Sequence, residues 1–159
     1  DRVRFEYYGG IEPEIRREID NVLDRYGAHE LFLFSPDVPY ARSKALQKGA
    51  DALLLIVDGG ETSSGVIPGK LFEYIASGRP IVCIASPGAT TEIIERGRLG
   101  WSVSPGDTQG LKRILRDWLA GAGPEIQPDR AYLMQFERRS IVERLAGVLS
   151  DVIDERRRS

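Results

Sequence analysis

The chain has 159 residues, of which 42% are hydrophobic and 29% are charged, so it is long and apolar enough to bury the core of one ordinary domain. Lysine and arginine number 22 against 24 for aspartate and glutamate, and the resulting net charge of −2 argues against general nucleic-acid binding, which needs a basic surface. One cysteine and one histidine exclude a disulfide framework and argue against a cysteine- or histidine-based metal site or a Ser-His triad within the chain.

The sequence carries no recognisable targeting or membrane-spanning segment. No apolar run reaches the roughly 18 residues of a membrane span. Cys83 lies in the apolar run IVCIA, which favours a reducing compartment, and we expect a cytoplasmic protein. The closing run DERRRS is most simply a solvated helix end, but its arginines would each favour an anionic membrane surface by roughly 1 kcal/mol, which leaves a membrane-peripheral location open.

The first half of the chain alternates strand and helix signals. VRFEYY follows the first two residues at once, without a cap or initiator methionine, which indicates a fragment whose true beginning lies upstream. The predicted elements are a strand at Val3–Tyr8, a helix at Pro13–Tyr26, a strand at Leu31–Phe34, a helix at Tyr40–Gly49 and a strand at Ala52–Val57. The last of these is the most apolar run, and we expect it to be a central strand.

The second half continues the alternation. The predicted elements are a helix at Pro68–Ser77, a strand at Ile81–Ala85, a helix at Thr90–Arg96, a minor strand at Trp101–Val103 and closing helices at Leu111–Leu119 and Asp129–Ile153. This order predicts an α/β fold with a Rossmann-like open parallel sheet and helices on both faces. We expect one domain over residues 1–155 and a basic tail at 156–159. Ligands bind such sheets beyond the carboxyl ends of the strands, which nominates the loops around Gly9, Ser35–Tyr40, Gly59–Lys70 and Ser86–Thr91.

The stretch TSSGVIPGKLFEYIASGRPIVCIA, Thr62 to Ala85, carries the strongest functional signal. The helix that follows Pro68 offers free amides and a partial positive charge, and Lys70 adds a full charge there, which favours a phosphate. Glu73 shares a face with Lys70 one turn later, and its carboxylate can accept two hydrogen bonds from a vicinal diol. The pair therefore suits a nucleotide ribose and its pyrophosphate. The alternative is an i, i+3 surface pair worth a few tenths of a kcal/mol.

Other nucleotide-binding motifs are absent. GVIPGKL is one residue too short for a Walker loop and continues with Leu71, and no GxGxxG occurs. Asp51, Asp107 and Asp129 are interpreted as helix caps or turn formers, and Thr91 as a local helix cap, rather than as catalytic groups.

The segment SGVIPGKLFEYIASGRPIV, with the EII…G…V.P.D pattern over Glu92–Asp107 and the turn FSPDVPYARSKALQKGADALLL, resembles the C-terminal, donor-binding domain of retaining GT-B glycosyltransferases of glycosyl transferases group 1. The resemblance implies that Glu73 binds the donor ribose and that Lys70 faces the phosphates as the catalytic group. It also implies that the backbone around Val38 contacts the nucleobase. Gly65, Val66 and Ile67 then correspond to the loop that approaches the diphosphate and the sugar.

Three further points accompany this resemblance. Gly69 lets the backbone approach the donor, and Tyr40 either lines the base pocket or packs on the sheet. Many family members carry a second glutamate eight residues before the first, where this chain has Gly65. The family's first strand and helix and its N-terminal acceptor domain have no counterpart here, so the fragment alone is expected to be inactive.

The implied function is the donor-binding part of a hexosyltransferase-type enzyme that moves a sugar from a nucleoside-diphosphate sugar to an acceptor glycan or lipid. The setting would be polysaccharide, glycolipid or glycoconjugate synthesis, with no metal ion and no cofactor beyond the donor substrate. Two alternatives stay open. One is a non-catalytic Rossmann-like module that binds a nucleotide or a protein partner, and the other is half of a sugar-nucleotide epimerase.

Overall fold

The computed structural model describes residues 3–57, 63–122 and 126–158. The chain divides into two compact units, Asp1–Gly49 and Ala50–Ser159. Each unit contains parallel strands and helices, so the α/β, Rossmann-like character predicted from the sequence is confirmed. The prediction of one domain over residues 1–155 stays a prediction, and the two units are described separately.

The first unit contains a two-stranded parallel sheet. Strand β1 (Phe5–Tyr8) pairs with β2 (Phe32–Ser35), with Phe5 opposite Phe32 and Tyr8 opposite Ser35. The rings of Phe5 and Phe32 stack at 4.9 Å between centroids. The helices of this unit are α1 (Pro13–Tyr26), a 3₁₀ turn (His29–Leu31) and α2 (Tyr40–Gly49).

The bounds of α1 follow from its sequence as predicted. Pro13 stands in the first turn, where a missing N–H costs no hydrogen bond. Gly27 ends the helix with φ of 58°, and its amide donates to the last-turn carbonyls of Leu23 and Asp24. Glycine adopts this left-handed conformation without the steric cost that a Cβ would bring.

The second unit contains a three-stranded parallel sheet in the order β3-β4-β5. Its helices alternate with the strands and then close the chain. The elements are β3 (Leu53–Ile56), a 3₁₀ turn (Ser63–Gly65), α3 (Gly69–Ser77), β4 (Ile81–Ile84), α4 (Ala89–Arg96), β5 (Gly100–Val103), α5 (Thr108–Leu119), α6 (Arg130–Leu133), a 3₁₀ turn (Met134–Phe136) and α7 (Arg138–Arg158).

The core of the second unit centres on β4. Leu71 of α3, Ile81 and Cys83 of β4, and Ile94 of α4 are fully buried and belong to one hydrophobic cluster. Burial of each of the three larger side chains, Leu71, Ile81 and Ile94, contributes on the order of 1.5–3 kcal/mol to the stability of the fold. Strand β5 comes so close to β4 that a Cβ on Gly100 would lie 2.7 Å from the backbone nitrogen of Ile81. Glycine is therefore required at the start of β5.

Two predictions about elements are wrong. The run at residues 52–57 was expected to be a central strand, but in the sheet of its unit β3 lies at the edge and β4 lies in the middle. Accordingly Leu54 and Ile56 of β3 are exposed, whereas Ile81, Val82 and Cys83 are all buried. Hydrophobicity alone did not identify the central strand, because an apolar strand of this length fits either position.

The second correction concerns the closing helix predicted at Asp129–Ile153. The chain instead forms α6, a 3₁₀ turn and α7, with the break at Glu137, whose φ and ψ of −66° and 140° are extended. Leu133, at the end of α6, and Phe136, in the turn, pack against the hydrophobic cluster. Helix α7 then runs to Arg158, so most of the predicted basic tail is helical.

None of the helices in residues 3–57, 63–122 and 126–158 is both long enough and apolar enough to cross a membrane.

The first test concerns Leu71, a residue of α3 whose side chain is completely buried. Leu71→Ala should lower the free energy of unfolding by about 2–5 kcal/mol, because it removes buried methyl groups and leaves a cavity. Urea denaturation followed by circular dichroism measures this change. Leu119→Ala, at a position 55% exposed in α5, is the matched control and should cost about 1 kcal/mol or less. Equal losses for the two variants would contradict the assigned core.

The second test uses Cys83. Burial raises the pKa of its thiol to about 11, so the thiol should react with Ellman's reagent only as fast as the sheet opens. In the unfolded chain the thiol ionises near pH ~8.5, so this group's contribution to stability is complete below that pH and is lost as the pH rises toward 11. Fast reaction of the native chain at mildly alkaline pH would show that β4 is accessible.

Candidate functional site

The candidate site of the second unit lies at the carboxyl edge of its sheet. Because β3, β4 and β5 are parallel, their carboxyl ends meet at one edge. The described loop residues there are 63–68 after β3, 85–88 after β4 and 104–107 after β5. Predicted loop residues 58–62 lie outside the described residues. Ligands of open parallel sheets bind at this edge.

Helix α3 begins at this edge with its amide end toward the loops. Pro68 precedes the first helical residue, with φ of −68° and ψ of 139°, so it is the N-cap rather than the first helical residue predicted. The amide of Leu71 donates to the carbonyl of Pro68 at 2.9 Å. No side chain of the described residues caps the helix. The first turn therefore presents backbone amides and the positive end of the helix dipole.

Lys70 and Glu73 occupy the first two turns of α3. Lys70 is exposed, and Glu73 is half-buried one turn later on the same side of the helix. Leu71, between them, points into the core. The spacing of three residues thus places an amine and a carboxylate together on one face, as the sequence predicted.

The buried face of α3 packs on the hydrophobic cluster through Leu71, Tyr74 and Ile75, whereas Ala76 is exposed. Phe72 is partly exposed and lies 6.1 Å from the ring of Phe136. Burial raises the pKa of Tyr74 first, and the charge of Glu73 raises it further. The Glu73 carboxylate is therefore close enough to act on the Tyr74 phenol.

The loop that leads into α3 rests on the start of α4. The Oγ1 of Thr90 donates a hydrogen bond of 2.7 Å to the carbonyl oxygen of Val66, and the Thr90 side chain is only 3% exposed. The backbone of Ser64 lies so close to Gly88 that a Cβ there would be 2.8 Å from the Ser64 Cα. Residues 64–66 are thus held by two contacts, each of which joins residues 24 positions apart in the chain.

The predicted capping roles of Thr91, Asp107 and Asp129 are confirmed. The Oγ1 of Thr91 accepts a bond from the Gly88 amide and donates one to the Gly88 carbonyl, both at 2.9 Å. Asp107 accepts from the amide of Gly110 at 2.8 Å, and Asp129 accepts from the amide of Tyr132 at 3.0 Å. These three side chains therefore stabilise helix starts.

The first unit has its own cavity at the carboxyl ends of β1 and β2. It measures about 210 Å³ and is lined by Gly9, Ile11, Arg16, Phe34, Ser35 and Pro36. The amide of Gly9 donates to the carbonyl of Ser35 at 3.0 Å, which joins the two loops. The Arg16 guanidinium lies 4.1 Å from the centroid of the Phe34 ring and 3.0 Å from the Asp20 carboxylate. Arg16 is thereby fixed beside the opening.

The two predicted base-binding residues also belong to the first unit. Val38 is half-buried in the loop after β2, and Tyr40 is the first residue of α2. Tyr40 is 68% exposed, and the ammonium of Lys44 lies 5.3 Å from the centroid of its ring. The interpretation of Tyr40 as a residue packed on the sheet is not favoured by this exposure. Its role in a base pocket stays a prediction.

The remaining predicted site residues all lie in or beside the α3 loop. Gly65, Val66, Ile67, Gly69 and Lys70 are exposed in this structure. Among the residues that the structure describes, a Cβ built on Gly65 or Gly69 would meet no atom of a non-neighbouring residue within 4 Å, so these residues leave open space there. The donor-binding role of each stays a prediction.

Sequence reasoning assigned no role to three residues that shape these edges, although it nominated the loop Ser86–Thr91, which contains two of them. Gly88 and Thr90 support the α3 loop, and Arg16 lines the cavity of the first unit. No local pattern identified the contact of Thr90 with Val66, because that contact joins two separate segments of the chain.

Comparison with known proteins gives one relevant finding. The chain is 28% identical over 151 residues to the "Putative colanic acid biosynthesis glycosyltransferase WcaL" of Salmonella typhimurium, and the alignment covers 90% of this chain. The chain spans 36% of the length of that protein. No protein-family model matches the chain, and no solved structure matches it.

A third test examines the contact between Glu73 and Tyr74. Glu73→Gln should lower the pKa of Tyr74, because it removes the negative charge that disfavours the phenolate, yet that pKa should stay above its ordinary value because burial remains. The difference between the ultraviolet titration of each protein and that of its Tyr74→Phe partner isolates this phenol. An unchanged Tyr74 pKa would show that the Glu73 carboxylate faces elsewhere.

Proposed function

We propose that the chain is the donor-binding part of a glycosyltransferase of the GT-B, group 1 type, which transfers a sugar from a nucleoside diphosphate to an acceptor glycan or lipid. The observation that carries this proposal is the pairing of Lys70 and Glu73 on one face of α3, at the carboxyl edge of a parallel sheet. The similarity to a protein named as a glycosyltransferase supports the same reaction class.

The first turn of α3 suits a diphosphate. Two features contribute positive potential there, the amide end of the helix and the exposed ammonium of Lys70. The helix dipole disfavours a lysine in the first turn of a helix, typically by 0.3–1 kcal/mol. A bound anion would offset that cost, because its negative charge would attract both the helix amides and the ammonium.

Glu73 suits the ribose of the same ligand. Its carboxylate is half-buried, lies one helical turn deeper than Lys70 and is close to Tyr74. A carboxylate in such a place can accept hydrogen bonds from both hydroxyls of a vicinal diol. Glu73 also has interactions within the folded chain, so binding would exchange some of them for bonds to the ligand.

The chemical role of this face would be electrostatic. When the bond between the anomeric carbon and the diphosphate oxygen breaks, negative charge grows on the departing diphosphate. Lys70 and the α3 amides would stabilise that charge, while a bond forms between the anomeric carbon and an acceptor oxygen, whose proton passes to the departing diphosphate. This role would need neither a metal ion nor a further cofactor. The acceptor would be held by a part of the longer protein not contained in this chain.

The whole enzyme is proposed to act in the synthesis of a polysaccharide, glycolipid or glycoconjugate. The name of the similar Salmonella protein refers to colanic acid biosynthesis, which supports a polysaccharide product. A cytoplasmic location with peripheral attachment to a membrane is part of the same proposal. The sugar and the nucleobase of the donor are left to experiment.

The fourth test measures nucleotide binding by ligand-observed NMR with UDP, GDP, ADP and dTDP. One nucleotide should bind. Lys70→Ala should weaken the binding of that nucleotide by about 10- to 100-fold, because the substitution removes a hydrogen bond to a charged group worth about 1.5–3 kcal/mol. Glu73→Ala should weaken it comparably, and Glu73→Gln by less, because glutamine retains one acceptor oxygen.

Two matched controls separate a site from a general charge effect. Lys112→Ala in α5 and Glu95→Gln in α4 change the same charges at exposed positions away from α3 and should leave binding unchanged. Protection of the Cys83 thiol would confirm that each variant is folded. Failure of the folded wild-type chain to bind any of the four nucleotides would contradict the proposal.

A further inference from the structure

We infer that Thr90 and Gly88, at the start of α4, are positioning residues that aim the backbone of the loop Ser64–Ile67 at the diphosphate of the ligand. This inference rests on the proposed function of the α3 face. It assigns a role to two residues of the loop Ser86–Thr91, which the sequence had nominated at the same edge without a function for either residue.

The loop has one supported side and one open side. On the supported side, the buried hydroxyl of Thr90 holds the carbonyl of Val66 at 2.7 Å, and the Ser64 backbone packs on Gly88. On the open side, Gly65, Val66 and Ile67 are exposed. One side of the loop is therefore held by α4, and the other side is accessible to a ligand.

The hydrogen bond from Thr90 fixes the direction of the next amide. In a trans peptide the carbonyl of one residue and the N–H of the following residue point in opposite directions, and every peptide bond described here is trans. Because the Val66 carbonyl points toward Thr90, the N–H of Ile67 points away from α4. A backbone N–H held in this way is a donor suited to a phosphate oxygen.

Gly88 contributes through its lack of a side chain. Its φ of 169° is extended and open to any residue, so the backbone conformation does not require glycine. The requirement comes from Ser64, because a Cβ on Gly88 would lie 2.8 Å from its Cα and 2.9 Å from its carbonyl carbon. A larger residue at this position would displace the loop from α4 without straining α4 itself.

The capping groups at the start of α4 already have partners within that helix start. The hydroxyl of Thr91 already accepts from the Gly88 amide, and the Glu92 amide donates to the Gly88 carbonyl at 2.9 Å. These groups are thus engaged within the helix start. The role assigned to α4 is mechanical support of the neighbouring loop, and the ligand contacts belong to the loop and to α3.

The test compares a nucleoside diphosphate with its nucleoside, for example UDP with uridine, or the pair whose base binds best. Thr90→Val keeps the shape of the side chain but removes the hydroxyl. It should weaken binding of the diphosphate by roughly tenfold and leave binding of the nucleoside unchanged. Thr90→Ser restores the hydroxyl and should restore binding. Gly88→Ala should reproduce the selective loss by displacing the loop.

Two further variants act as references. Thr91→Val removes a hydroxyl from the adjacent buried position, where it bonds only to Gly88 in the described part of the chain, and should destabilise the fold without the selective loss. Glu73→Gln should weaken binding of the nucleoside and of the diphosphate to the same extent, because the proposed partner of Glu73 is the ribose that both ligands contain.

The possible results separate the inference from the function on which it rests. Equal diphosphate affinity in Thr90→Val and the wild-type chain, or an equal loss for nucleoside and diphosphate, would overturn the positioning role and leave the proposed function intact. A folded wild-type chain that binds no nucleoside diphosphate would overturn both. A selective loss in Thr90→Val, rescued by Thr90→Ser, would establish the role.

Discussion

The buried contact of α3 and α4 with β4 is the constraint on which the second unit depends. Leu71 and Ile94 come from the two helices, Ile81 and Cys83 come from the strand, and all four are without solvent exposure. Close packing of this kind leaves little freedom for either helix to shift, because every displacement opens a void or causes a clash. The starts of α3 and α4 are consequently fixed relative to each other, and the segment Ser64–Ile67 that contacts α4 is fixed with them.

In each of these short helices, buried groups hold the helix in place and other groups are available to the candidate site. Leu71 anchors α3, while its neighbour Lys70 is free to carry charge at the sheet edge. Ile93 and Ile94 anchor α4, and Thr90 on the same helix holds a carbonyl of the adjoining loop. A helix of eight or nine residues is marginal by itself in water, so its packing supplies the rigidity that an ordered binding loop requires.

Much of the fold was predictable because its signals are local. The helix Pro13–Tyr26 was predicted at its observed bounds, since proline and glycine mark its ends and its apolar residues recur at helical spacing. The face shared by Lys70 and Glu73 followed in the same way from helical geometry. The position of β3 at a sheet edge and the break at Glu137 were not predictable, because both depend on which distant residues are available for packing. The contact of Thr90 with Val66 escaped for the same reason, as neither residue has a pattern that names its partner.

The placement of the only thiol also determines how this protein can be labelled. Cys83 lies in the middle strand with no exposed surface, so a maleimide fluorophore would find no reactive partner in the native chain. A cysteine introduced at an exposed loop position such as Ile67 would then be the single fast-reacting thiol. The chain thus offers site-selective attachment of a reporter beside the candidate site without first replacing its native cysteine, whose removal would disturb the core.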